Sequence, residues 1–198
     1  MKNTVAVLAV SLSLALPVLL CAGDVVNAPK PAMPDRAAML AGAREIMAAQ
    51  TYCALITLDD SGRPQVRTMN PFPPDADFVV WMATHTRSRK AAQIRKDPRV
   101  TLYYSNHATA IGYVAITGRA ELTEDAAEIQ KRKRAYWDQA FPGLKNLTLI
   151  KVIPERLEVV NYKAGLNNDP EGFRAPAIDL APQAAPTTPA AKPAPPTP

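Results

Sequence analysis

With 198 residues, 47% of them hydrophobic, the chain can bury one sizeable core, and once unstructured ends are set aside it has no room for a second full domain. Its net charge is +5, from 23 Lys and Arg against 18 Asp and Glu. That balance favours an anionic partner and leaves nucleic acid, phosphorylated small molecules and acidic lipid all open.

Residues 1–23 read as a secretory signal peptide: Lys2, an apolar run from Val5 to Leu20, then Cys21-Ala22-Gly23 before Asp24. The run carries Ser11, Ser13 and Pro17 and falls short of the roughly 18 to 20 residues that a membrane-spanning helix needs, so no span is expected in the mature chain. A retained anchor is the weaker alternative. A leader ending in Leu-Leu-Cys resembles a bacterial lipoprotein signal, but Leu20 stands where a small residue is wanted, and cleavage after Gly23 is preferred. The expected location is periplasmic or secreted. Cleavage leaves Cys53 as the single cysteine, which excludes an internal disulfide. Its place in the apolar run Tyr52 to Leu58 makes it a core residue rather than a nucleophile.

Residues 24–34 form a linker to the folded unit, residues 35–166. Asp35 is placed to cap a helix with Leu40, Ala43, Ile46 and Met47 on one face, ending near Gln50. Tyr52 to Leu58, the turn Asp59-Asp60-Ser61-Gly62 and Pro64 to Met69 read as a hairpin. A proline-rich loop over 70–77 precedes a third strand, Phe78 to Ala83. Ser88 caps a short helix from Arg89 to Lys96, which Pro98 prevents from continuing. Strands follow from Arg99 to Tyr104 and from Gly112 to Leu122, then a charged helix over Glu124 to Ala140, then strands Leu147 to Ile153 and Arg156 to Tyr162. Residues 167–198, rich in Pro and Ala, read as a disordered polyproline-like tail. Strands joined by short turns, with helices at the edges, predict a mainly β protein with a closed antiparallel barrel.

One constellation suits a phosphate monoester. Arg67 lies on a hairpin strand, Thr84 follows the third strand, and Ser88-Arg89-Lys90 opens a helix. Cationic groups supply charge, hydroxyls and backbone N–H groups fill the remaining oxygen lone pairs, and the helix N-terminus adds a favourable dipole. Read from residues alone, Arg87, Arg89, Lys90, Arg95, Lys96 and Arg99 are equally a solvated cationic face.

The ordered set tips the balance. The hairpin arginine, Phe78-Val79-Val80-Trp81, Thr84, Ser88-Arg89-Lys90, Asp97-Pro98-Arg99-Val100, Gly118-Arg119-Ala120, Tyr136-Trp137, Phe141-Pro142-Gly143 and Leu149 to Arg156 together resemble the FMN-binding split β-barrels of the pyridoxamine-5'-phosphate-oxidase-like superfamily, in the general-stress-protein-like branch. The resemblance covers about Ala43 to Tyr162 and implies a dimeric split barrel with FMN at the subunit interface. By it, Arg67 and Lys90 would hold the phosphate, assisted by Ser88 and Arg89. Thr68 and Met69 would line the flavin ring with their backbone, Thr84 would bond the ring or ribityl chain, and Tyr113 would contact the ring.

The chain departs from that family in three places. Leu157 to Tyr162 lacks the tryptophan often found after the Pro-Glu-Arg-like motif, and the arginine and histidine motif that true pyridoxamine-phosphate oxidases use on their substrate is replaced by the tail. Vitamin B6 synthesis is therefore not expected. The third departure is the leader, which has Lys2 as its one basic residue and no twin-arginine signal, although FMN is made in the cytoplasm. The expected function is an exported FMN-dependent oxidoreductase acting on a small molecule, with no side-chain catalytic acid or base singled out. The alternative is a non-catalytic carrier of flavin, deazaflavin or haem in the cell envelope. A zinc site is not expected from His85 and His107, the two histidines, although His107 could ligate haem. Nucleic-acid binding through Lys131-Arg132-Lys133-Arg134 ranks low, because Glu124, Asp125 and Glu128 interleave with the basic run.

Overall fold

The structure, a computed structural model, describes residues 34–180. The leader and lipoprotein readings, and the tail from residue 181 onward, lie outside the described residues.

Helix α1 (Arg36–Ala48) opens as predicted on Asp35, whose carboxylate accepts from the N–H groups of Ala37 and Ala38. It buries Met39, Ala43, Ile46 and Met47. The predicted hairpin is β1 (Cys53–Leu58) and β2 (Pro64–Met69), with Leu55 opposite Arg67. Asp59 closes its turn by accepting from Ser61 and Arg63, and Gly62 takes φ 76°.

The third strand, β3 (Val80–His85), starts later than predicted because Phe78 has φ 62°, which no strand accommodates. The preceding loop is a fixed turn. Asp75 accepts from the N–H groups of Asp77 and Val79, each at 2.9 Å. Arg44 lies 4.1 Å over the Phe78 ring and donates to the carbonyls of Asp75 and Ala76 at 2.9 and 2.7 Å. Helix α2 (Arg89–Lys96), capped by Ser88, then leads into β4 (Arg99–Ser105) and β5 (Gly112–Thr123).

The stretch read as one helix over 124–140 is two, α3 (Ala126–Lys131) and α4 (Trp137–Ala140). Arg134 leaves the helical path to donate to Pro71 O at 2.8 Å and to stack 4.0 Å over Phe72, and Trp137 turns fully inside. Conversely, the two strands expected at the end are one, β6 (Leu147–Asn161). Its pairing with β5 jumps from Thr117↔Arg156 to Gly118↔Pro154, so Glu155 is the extra residue of a bulge that lets a proline sit inside the strand. Gly118 is required there: a Cβ on it would lie 2.1 Å from the Ile153 carbonyl oxygen. Strand β7 (Ala177–Asp179) pairs with β6 and buries Ile178, so ordered packing extends past Leu166 into the segment read as tail.

All pairings are antiparallel, in the order β2-β1-β4-β5-β6-β3, with β7 on the second half of β6. No described pairing joins β2 to β3. The curled sheet is thus a split barrel rather than the closed one read from the strand pattern, and the β2–β3 connection carries Pro71, Pro73 and Pro74, which lack the donors a closing ladder needs.

The main core lies inside the curl, where Leu55, Leu102, Val114, Ile116, Val152, Leu157 and Val159 meet α1. A second cluster, Ile129, Trp137, Leu147 and Leu149, covers the other side of β3 through Trp81 and Ala83. Cys53 is 4% exposed, in agreement with its core assignment. Burial pushes its thiol up from 9.0 to about 12, so the folded chain keeps a proton that the unfolded chain releases. The resulting stabilisation is complete below pH 9.0 and is lost as pH rises toward 12. Urea unfolding above pH 9.0 is expected to show a loss approaching about 1.4 kcal/mol per pH unit from this group, absent in Cys53→Ala.

Candidate functional site

Three cations gather where Arg67 reaches from β2 across β1 to α2. Arg67 is in register with Leu55 and therefore points to the inner face of the sheet. There its Nη1 donates to Thr57 Oγ1 at 2.6 Å and to the Leu55 carbonyl at 3.3 Å, and its Nη2 donates to Gln93 Oε1 at 2.9 Å. Gln93 lies one helical turn from Lys90, which ties the hairpin to the start of α2.

At that start the hydroxyls cluster. Thr84, buried at the end of β3, has its Oγ1 3.2 Å from Ser88 Oγ and accepts from Lys90 Nζ at 3.0 Å. Ser88 Oγ also accepts from the Ala91 N–H as the cap of α2. Arg89 is exposed beside them. Among the described residues none of Arg67, Arg89 and Lys90 forms an ion pair. Burial and then the Arg89 charge lower the pKa of Arg67, and burial, Arg67 and Arg89, in that order, lower that of Lys90. These groups repel one another, and among the described residues no carboxylate pairs with them. The donor set therefore suits a multiply charged anion, and a phosphate monoester meets its mix of guanidinium, ammonium, hydroxyl and helix N-terminus.

Of the residues singled out from sequence, Thr84, Ser88 and Lys90 meet in one hydrogen-bonded group, and Arg67, held by Gln93 of the same helix, lies close enough for its charge and that of Arg89 to act on Lys90. Thr68 is exposed on the opposite face of β2, and Met69, 8% exposed, closes the strand opposite Cys53. Tyr113 is not brought to the cations. It lies on β5, three strands along from β2, with its ring centroid 5.5 Å from that of Tyr103. Thr57 and Gln93 were missed; the signal was available in the inward alternation Cys53-Leu55-Thr57 and in the placement of Gln93 on the face of Lys90.

His85 accepts from the Arg87 N–H through Nδ1, and exposed His107 lies 6.2 Å from Tyr103, ring to ring. No group of three or more metal-ligating side chains occurs among the described residues. The Lys131–Arg134 run is largely engaged: Arg132 pairs with Glu128 and lies 3.7 Å over Trp81, and Lys133 bonds Asp138 at 2.7 Å.

The split-barrel fold defines the class of the protein. A family model described as pyridoxamine 5'-phosphate oxidase matches residues 39–161, and the chain belongs to that family. No curated protein matches it. Among solved structures it is similar to general stress protein 26 from Bacillus anthracis str. Sterne, at 23% identity and TM-score 0.54, covering 61% of this chain and 92% of that one. A pyridoxamine 5'-phosphate oxidase-related, FMN-binding protein from Nostoc punctiforme matches at 18% identity and TM-score 0.51, over 75% and 98% of the two chains. A haem-binding protein from Mycobacterium smegmatis matches at 15% identity and TM-score 0.54, over 74% of this chain and 59% of that one. At these identities the structural likenesses establish the fold.

Proposed function

We propose that the chain binds FMN through the Arg67–Lys90 cluster and works as an exported, homodimeric FMN-dependent oxidoreductase on a small molecule. The observation that carries this reading is the mutual proximity of Arg67, Arg89 and Lys90, free of ion-pair partners among the described residues, with Lys90 bonded to Thr84 beside the Ser88 hydroxyl. Arg67 and Lys90 hold the phosphate, Ser88 and Arg89 assist, and Thr84 keeps the Lys90 ammonium in place. The backbone of Thr68 and Met69 lines the flavin ring, and Tyr113 belongs to the more distant part of the site. The bound flavin supplies hydride or electron transfer, and the protein supplies orientation and exclusion of water. The homodimer is supported by the outer sheet face and its rim, where Val66 is 65%, Tyr52 57% and Tyr162 56% exposed. Export rests on the reading of residues 1–23.

A visible spectrum of the purified protein, recorded with and without added FMN, tests the cofactor. Flavin bands that survive gel filtration are expected; absence of bands and of micromolar binding would refute it. A carrier is the second reading, favoured by a site composed of cations and hydroxyls, with no carboxylate in contact among the described residues. Flavin reduction by a nicotinamide or chemical donor, followed by reoxidation by an acceptor, separates the two: turnover is expected of the enzyme, and inert holo-protein would mark the carrier.

A further inference from the structure

Arg67 is gripped without being neutralised. A guanidinium has five N–H donors, of which Nη1 spends two on Thr57 Oγ1 and the Leu55 carbonyl and Nη2 spends one on Gln93 Oε1. The two that find no acceptor among the described residues, on Nε and Nη2, lie along one edge, the fork that takes two oxygens of a single anion. The grip is itself closed: Thr57 Oγ1, accepting from Arg67, donates to Gln93 Oε1 at 2.6 Å. Gln93 Oε1 thus takes two donors, which fixes the orientation of its amide. Thr57 is fully buried, so its hydroxyl has no solvent to turn to.

A carboxylate at position 93 would hold the guanidinium at least as firmly, but it would cancel the charge. An amide and a hydroxyl hold it and leave the charge available. We propose that Gln93 and Thr57 are positioning residues, a neutral clamp that fixes Arg67 with its free edge toward the ligand phosphate and makes the site discriminate phosphorylated from unphosphorylated ligands. The inference rests on the phosphate-site reading above. Neither residue is assigned contact with the flavin ring, so the clamp acts on the phosphate alone.

The test compares wild type with Gln93→Glu, Gln93→Met and Thr57→Val, each checked by circular dichroism. FMN and riboflavin affinities are measured by quenching of flavin fluorescence, and the shift in melting temperature with inorganic phosphate is recorded without flavin. Gln93→Glu is expected to weaken FMN by about 100-fold and to abolish the phosphate shift, and Gln93→Met and Thr57→Val to weaken FMN by about tenfold, from loss of hydrogen bonds to a charged group. Riboflavin affinity is expected to stay within about twofold throughout, since it carries no phosphate. Equal losses for FMN and riboflavin would mean a merely structural role and overturn the clamp, as would an FMN preference that survives in all three variants. If Gln93→Glu does not fold, Gln93→Met and Thr57→Val carry the same comparison. A wild type that binds FMN and riboflavin equally overturns the phosphate site itself, a result distinct from failure of the clamp alone.

Discussion

Arg67→Ala is expected to weaken FMN binding by about 10- to 150-fold, the equivalent of the roughly 1.5 to 3 kcal/mol that a hydrogen bond to a charged group contributes. Riboflavin binding is expected to be unchanged. The reason lies in where Arg67 sits: on the inner face of β2, opposite Leu55 and within reach of α2, with its charge uncompensated among the described residues. Lys90→Ala is expected to act in the same direction, because Nζ is already held 3.0 Å from Thr84 Oγ1 at the start of α2. The double variant should lose less than the sum of the two. The Arg67 charge makes it costlier to keep Lys90 charged, a repulsion that a bound phosphate relieves and that either single variant already removes. Fluorescence titration of the two single variants and the double variant, against both flavins, measures these effects.

Trp137→Ala is expected to cost about 3 to 5 kcal/mol of stability, the range for deleting a large buried aromatic side chain. Trp137 is fully buried and makes edge contacts with Phe72 and Phe141, at centroid distances of 6.1 and 6.4 Å. It anchors the cluster that covers the outer side of β3, the strand that delivers Thr84 to the site from its inner side. Its indole Nε1 has no hydrogen-bond partner among the described residues. Trp137→Phe removes that unsatisfied donor together with part of the volume, so its cost is expected to be less than half that of Trp137→Ala. Urea unfolding of the three proteins gives the comparison.

Much of this site was legible in the sequence because its parts are local. The alternation of Cys53 to Leu58, the Asp59–Gly62 turn and the pattern of Pro64 to Met69 define a hairpin, and Ser88 followed by Pro98 bounds a helix. What the sequence hid depends on contacts between distant segments. Nothing local shows that Pro154 can lie within a continuous strand; that depends on a bulge at Glu155 and on Gly118 from β5 opposite it. Residues 177–179 look like tail until β6 offers them an edge. Phe78 reads as strand, but it takes φ 62° in the turn that Asp75 organises and that Arg44 of α1 holds from afar. Thr57 and Gln93 gain their role only when β1, β2 and α2 are brought together, since each looks like an ordinary polar residue in its own element.

The proposed FMN site turns on one contact, between the phosphate and the side chains of Arg67 and Lys90. A crystal structure of the protein soaked with FMN tests it most directly. The expected result is a phosphate hydrogen-bonded to the free edge of Arg67 and to Lys90, with Gln93 and Thr57 still clamping the guanidinium from behind. A flavin bound with its phosphate elsewhere, or no flavin at saturating concentration, would contradict it.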